Sequence, residues 1–139
     1  MSIYLDTSVL VALFTDDPFS GRADQLLGQS NDFLVGDYAA AEFASSIARH
    51  ARMGELTVPE ARMVFANFDS WMRGAVTAVE TASSDIRAAE GFLRRLDLTL
   101  RAGDALHIAV AQRNGADLAT FDVKMSASAG LLGVSLASV

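Results

Sequence analysis

Short, apolar, β-prone runs alternate with segments of helical periodicity from one end of this chain to the other. Few folds accommodate that rhythm. Residues 2–5, 32–35, 75–79 and 117–120 read as strands, with 134–136 as a last edge strand. Residues 9–14 follow the capping-type residues Asp6, Thr7 and Ser8 and read as a helix, although β-branched Val9 and Val11 leave a longer strand open. Pro18 suits the first turn of a helix reaching about Leu27. Residues 38–53 carry Phe43, Ala44, Ile47, Ala48 and Ala51 on one face and Glu42, Ser46 and Arg49 on the other, with Gly54 as the stop.

Thr57 and Glu60 have capping-box spacing and open a helix that should stop near Gly74. Ser83 or Ser84 can cap the following helix, which lines up Ile86, Ala89, Leu93 and Leu96 and pairs Glu90 with Arg94 one turn apart. Residues 102–113 form a helix apolar nearly all round, hence buried, and 122–129 a short final one. No repeat, linker or low-complexity tract interrupts the pattern, so one domain over 1–139 is expected. Strand–helix alternation predicts an α/β fold: three α/β/α layers around a mostly parallel sheet. In such sheets the ligand crevice lies beyond the carboxyl ends of the strands. Asp6 and Asp122 stand at or just past two of those ends.

Composition narrows the chemistry. Cysteine is absent, which removes disulfides, thiolate nucleophiles and thiolate metal ligands together. The longest apolar run, 9–14, is far short of the ~20 residues a bilayer requires, and no leader pattern is visible, so a cytoplasmic protein without a membrane partner is expected. Acids outnumber bases 17 to 11, against a nonspecific nucleic-acid coat. An enzyme that joins phosphate to carboxylate through a divalent cation remains compatible with that balance.

The individual acids differ in what they require. Asp6 sits between an apolar strand and an apolar helix, and Thr7 and Ser8 are equally able to cap that helix. Asp104 opens the buried helix, where desolvating a carboxylate is costly unless a cation or donors compensate. Glu42 on a polar helix face and Asp122 at an ordinary N-cap position are, by themselves, open to a purely structural reading. His107, alone on an apolar helix, reads as a hydrogen-bonded core residue rather than a general base, and with only His50 as a distant companion no histidine metal site is indicated. There is no GxSxG elbow and no glycine-rich phosphate loop. What remains is a set of carboxylates that would repel unless neutralised, and oxygen-only ligands favour Mg2+ or Mn2+.

Four stretches taken in order resemble the PIN-domain ribonucleases, and among them the VapC-type toxins of toxin–antitoxin pairs. They are "IYLDTSVLVALF", "YAAAEFASSI", "LRAGDALHIAVA" and "ADLATFDVKM", and together they span essentially the whole chain. The resemblance implies that Asp6, Glu42, Asp104 and Asp122 form an acidic Mg2+ or Mn2+ site, with Asp6 and Asp104 as the most direct ligands. It implies that Thr7, Ser8 and Thr120 orient the carboxylates by hydrogen bonds. One departure is Met125, where such toxins often carry an aromatic residue. The implied activity is endoribonuclease cleavage, with water activated by the cation and attacking the phosphodiester in line. Arg49, Arg94, Arg95 and Arg101 are the candidate phosphate contacts. The implied partners are the RNA substrate, a cognate antitoxin and a second copy in a homodimer.

A rival enzyme class and a rival module fit less well, and a binding-scaffold reading stands beside them. A haloacid-dehalogenase-type phosphatase wants a second Asp two positions after Asp6, where Ser8 stands. A receiver module wants an acidic pair directly after the first strand, and Asp16 and Asp17 come too late. A PIN-like binding module without activity is the non-enzymatic alternative.

Overall fold

Every residue of β1 (Ile3–Leu5) is buried, and its side chains alternate between two separate cores. Ile3 and Leu5 point to one side of the sheet and Tyr4 to the other. That pattern is what a central strand covered on both faces demands. The computed structural model describes residues 1–30 and 32–139. In it β1 pairs in parallel with β2 (Phe33–Gly36) and β4 (Asp117–Ala119), and β3 (Thr77–Val79) pairs in parallel with β2. The strand order is β3-β2-β1-β4.

One face is covered by α1 (Thr7–Phe14), α2 (Ser20–Leu27), α3 (Asp37–Arg52) and α4 (Val58–Gly74). Its core centres on Leu5, Val9, Leu10, Phe43 and Phe68, with Phe43 and Phe68 stacked at 4.5 Å. The other face is covered by α5 (Ser83–Arg94), α6 (Ala102–Arg113) and α7 (Val123–Leu131) around Tyr4, Ile108, Val110 and Leu118. The expected α/β/α sandwich is therefore present. Its sheet is parallel at every pairing, and the capping box of Thr57 and Glu60 opens α4 as its spacing predicts.

Four local expectations need correction. The stretch 134–136 is not a strand: it makes a single bridge, Leu136 to Leu118, before Ala137 and Val139 turn onto the first core and Arg22 donates to the Val139 carbonyl. Residues 75 and 76 fall outside β3, whose edge position leaves Thr77 and Ala78 exposed. Neither serine caps α5; the Asp85 carboxylate reaches back to the Ala82 N–H at 2.8 Å. Finally, Ile86 and Leu96 are exposed, and the buried residues of that helix are Ala89 and, unexpectedly, Asp85. Helix α5 ends at Arg94, and Leu96 takes the left-handed conformation (φ 66°) with its side chain in solvent.

A left-handed leucine costs roughly 1–2 kcal/mol, and here no burial offsets it. Leu96→Gly should therefore stabilise the protein by about 0.5–1 kcal/mol after glycine's extra unfolded-state entropy is subtracted. A higher denaturant midpoint at unchanged slope checks this, and a lower midpoint contradicts it.

Candidate active site

The parallel sheet sends the carboxyl ends of β1, β2 and β4 to one edge, and each is followed directly by a helix. Asp6 is the N-cap of α1, its Oδ1 accepting the Val9 N–H at 3.2 Å and the Ser8 hydroxyl at 2.6 Å. Asp122 is the N-cap of α7, its Oδ1 accepting the N–H groups of Lys124 and Met125. Asp104, in the first turn of α6, accepts the Arg101 N–H on Oδ2 at 3.1 Å. Asp6 and Asp122 thus do cap their helices, and Asp104 bonds back to the start of its own, yet these roles are incomplete as an account of them. These bonds occupy one oxygen of each carboxylate and leave the other, among the described residues, with no backbone donor.

Glu42 lies one turn into α3 and is half-buried. Its Oε1 accepts the Thr7 hydroxyl at 2.6 Å and stands 2.5 Å from His107 Nε2. An ideal Cβ on Gly103 would come within 3.0 Å of Glu42 Oε2, so α6 approaches this carboxylate closely, one residue before Asp104. Asp104 and Asp122 both line an open cleft of about 710 Å³, together with Leu98, Leu100, Arg101 and Lys124. Shared neighbours therefore link all four acids: Thr7 joins the Asp6 turn to Glu42, Gly103 joins Glu42 to the Asp104 turn, and the cleft joins Asp104 to Asp122.

The electrostatics separate Asp6 from Glu42. Burial pushes the Asp6 carboxyl above its ordinary range, only partly countered by the Ser8 and Thr120 hydroxyls, His107 and the Val9 N–H. Burial also acts upward on Glu42, but hydrogen bonds from His107, Thr7 and Tyr38 overcome it and hold that carboxyl below the usual range. Asp6 is 4% exposed and, among the described residues, pairs with no Arg or Lys. A buried, all-oxygen acid short of positive charge is suited to a hard divalent cation. Among the described residues no three acidic or histidine side chains converge into a ready cage. Mg2+ tolerates that, because it binds through one or two carboxylates and keeps several waters.

The supporting residues have visible partners. Thr7 serves Glu42, and Ser8 serves Asp6. The Thr120 hydroxyl accepts the Asp122 N–H at 3.0 Å and lies 3.8 Å from the Met125 sulfur. Met125 is buried, so the departure from an aromatic residue is absorbed by the second core without disturbing the Asp122 turn. Of the four arginines, only Arg101 lines the acid cleft. Arg49 borders a small hollow with Ser46, His50, Met53 and Glu55, while Arg94 and Arg95 pair with Glu90 and Asp97 on the surface. Lys124, absent from the candidate phosphate contacts, lines the cleft instead. Its position two residues after Asp122 on a helix start is the sequence signal that points to it.

Phe121 is a further residue that the motifs do not single out. Its N–H donates to Ser8 Oγ at 3.0 Å, and its ring stacks on Phe19 at 4.7 Å with the Arg22 guanidinium alongside both. The α1–α2 connection thereby clamps the β4–α7 turn against the Asp6 turn.

A model of the PIN domain matches residues 3–131 of this chain. The chain belongs to the PIN domain family. This bears out the resemblance drawn from the four motifs. Ribonuclease VapC3 of Pyrobaculum aerophilum is 25% identical over 126 residues, covering 91% of this chain and 93% of the relative. Among solved structures, VapC20 of Mycobacterium tuberculosis, described as a sarcin–ricin-loop-cleaving toxin, aligns with a TM-score of 0.75 at 21% identity, over 91% of this chain and 94% of that one. A toxin–antitoxin complex from Klebsiella pneumoniae aligns with a TM-score of 0.65 at 20% identity, over 95% and 94% of the two chains. In this PIN domain Asp6 and Asp122 lie just past the ends of β1 and β4, where a parallel α/β sheet places its ligand crevice, and α3 and α6 bring Glu42 and Asp104 to the same side. Among the described residues no helix is long and apolar enough to cross a membrane.

Proposed function

We propose that this PIN-domain protein is a divalent-cation-dependent endoribonuclease and the toxin of a toxin–antitoxin pair. The observation that carries the reading is the pinned set of carboxylates: Asp6, Glu42, Asp104 and Asp122 each give one oxygen to protein donors, at one edge of the sheet. These four would hold Mg2+ or Mn2+. When bound, such a cation supplies Lewis-acid polarisation of the phosphodiester and offsets charge on the attacking and leaving oxygens. Thr7, Ser8 and Thr120 keep the carboxylates aimed. Arg101 and Lys124 lie on the cleft wall, where they can neutralise phosphates flanking the scissile one.

Similarity to the Pyrobaculum ribonuclease supports RNA as substrate, and likeness to the Klebsiella complex supports an antitoxin partner. A second copy of the chain is the other proposed partner, and the cytoplasm the proposed compartment.

The test is incubation of purified protein with total RNA, with Mg2+, with Mn2+ or with chelator, followed by mapping of new 5′ ends. Discrete, cation-dependent ends are expected, together with growth arrest that co-expression of the neighbouring reading frame relieves. RNA left intact under every cation overturns the nuclease reading in favour of a silent binding module. Hydrolysis of p-nitrophenyl phosphate instead points to a phosphatase.

A further inference from the structure

His107 is gripped at both ring nitrogens, which a space-filling core histidine does not require. It is 3% exposed, in the middle of a helix buried continuously from Ala105 to Ala111. Its Nδ1 is 2.8 Å from the Tyr4 hydroxyl, and its Nε2 is 2.5 Å from Glu42 Oε1, the oxygen that also accepts from Thr7 at 2.6 Å. An ionised carboxylate only accepts hydrogen bonds, so the nitrogen facing Glu42 carries a proton. Tyr4 is fully buried, and its hydroxyl holds the ring at Nδ1. The contacts thus call for a proton on Nε2, aimed at Glu42.

Two glycines make room at the ends of this chain of contacts. An ideal Cβ on Gly36 would lie 2.8 Å from the Tyr4 hydroxyl oxygen. On Gly103 it would lie 3.0 Å from Glu42 Oε2 and 3.1 Å from the Tyr38 hydroxyl oxygen. The backbone of β2 therefore closes against Tyr4 from behind, and the first turn of α6 closes against Glu42 in front. Between them the Tyr4 and Tyr38 rings stand 5.8 Å and 5.5 Å from the imidazole.

We infer that His107 is a positioning residue for Glu42: Tyr4 anchors the ring at Nδ1, and the imidazole with Thr7 holds Oε1 so that Oε2 faces the first turn of α6 beside Asp104. The inference rests on the reading of Glu42 as part of the cation site. It differs from a packing role because only the Nε2 donor matters to it. A glutamine amide reaches roughly the Nε2 position of a histidine, whereas an asparagine amide reaches only the Nδ1 position.

The experiment titrates wild type, Glu42→Gln, Tyr4→Phe, His107→Gln and His107→Asn with MnCl2 by calorimetry, alongside RNA cleavage and thermal melting of each. Nitrogen-15 NMR of the wild-type and Tyr4→Phe imidazoles is recorded without metal. His107→Asn and Tyr4→Phe should weaken Mn2+ binding by about 10–100-fold, and His107→Gln should recover most of that loss. The wild-type ring should show a protonated Nε2, and Tyr4→Phe a weaker hydrogen bond from that nitrogen to Glu42. A wild-type ring with no proton on Nε2 overturns the inference, even if the Asn variant fails to fold. Wild-type Mn2+ affinity in both Tyr4→Phe and His107→Asn, with Glu42→Gln impaired, overturns the inference but leaves the cation site standing. Wild-type affinity in Glu42→Gln overturns the cation reading of Glu42, and this inference with it.

Discussion

Asp6→Asn and Asp104→Asn are each expected to lower RNA cleavage by about 10²–10³-fold, the size of effect seen when one group stabilising transition-state charge is lost. They should do so with opposite consequences for the fold. Asp104 uses Oδ2 to accept the Arg101 N–H at 3.1 Å, and an asparagine oxygen can accept the same bond, so the metal-free melting temperature should hold. Asp6 is buried, and its ionised carboxylate is desolvated without an Arg or Lys partner among the described residues. Burying an uncompensated charge is costly, and a neutral amide removes that cost while still accepting from Ser8 and Val9. Asp6→Asn should therefore melt higher than wild type in chelator. Adding Mn2+ should reverse the order, because a ligand that binds only the folded state stabilises it by about 2.7 kcal/mol at a hundred times its dissociation constant. Wild type should gain that stability and Asp6→Asn should not. Full cleavage by either variant, or an equal Mn2+ shift in wild type and Asp6→Asn, would remove these acids from the cation site.

That trade of stability for function also governs which features are legible in the sequence. The strand–acid–helix rhythm is local, so β1, β4 and the caps at Asp6 and Asp122 follow from patterning within a few residues. Asp104 stands out because a carboxylate feeding an apolar helix conflicts with ordinary burial, and such conflicts collect at functional sites. Contacts between distant segments leave no comparable trace. His107 reads as a hydrogen-bonded core residue and is one, but that its partner is Glu42, 65 positions earlier, depends on how α3 and α6 dock. The arginines are ambiguous for the same reason. A surface charge declares its type but not its neighbour, and Arg94 and Arg95 have acidic neighbours of their own. Leu96 misleads by completing an apolar period at the very residue where the backbone reverses, two positions after α5 ends.

The largest stability effect should come from Asp85, an acid far from the cleft. It is 2% exposed and accepts Arg113 Nε and Nη2 at 2.8 and 2.9 Å, plus the Ala82 N–H that opens α5. Arg113 in turn donates to the Glu80 carbonyl, so the pair ties the end of α6 to the β3–α5 connection. Burial acts upward on the Asp85 carboxyl, but the bonds from Arg113 and Ala82 outweigh it, and the net shift is downward. Asp85→Ala removes the helix cap and a charge-assisted fork together, at a cost of about 2–4 kcal/mol. For a chain of this length that lowers the melting temperature by roughly 10 °C. Arg113→Met should cost more than Asp85→Asn. Arg113 is partly exposed and can return to water when its partner is lost, whereas removing it strands a carboxylate in the interior. A folded-state pKa below the unfolded value of about 3.9 gives stability that is fully present above that value. It is lost as pH falls through the folded pKa. Urea midpoints taken from pH 6 down to pH 3 should therefore fall more steeply in wild type than in Asp85→Asn, which has no proton to take up at this site. Parallel acid limbs in the two proteins, or Arg113→Met melting above Asp85→Asn, would show that the fork contributes packing rather than charge.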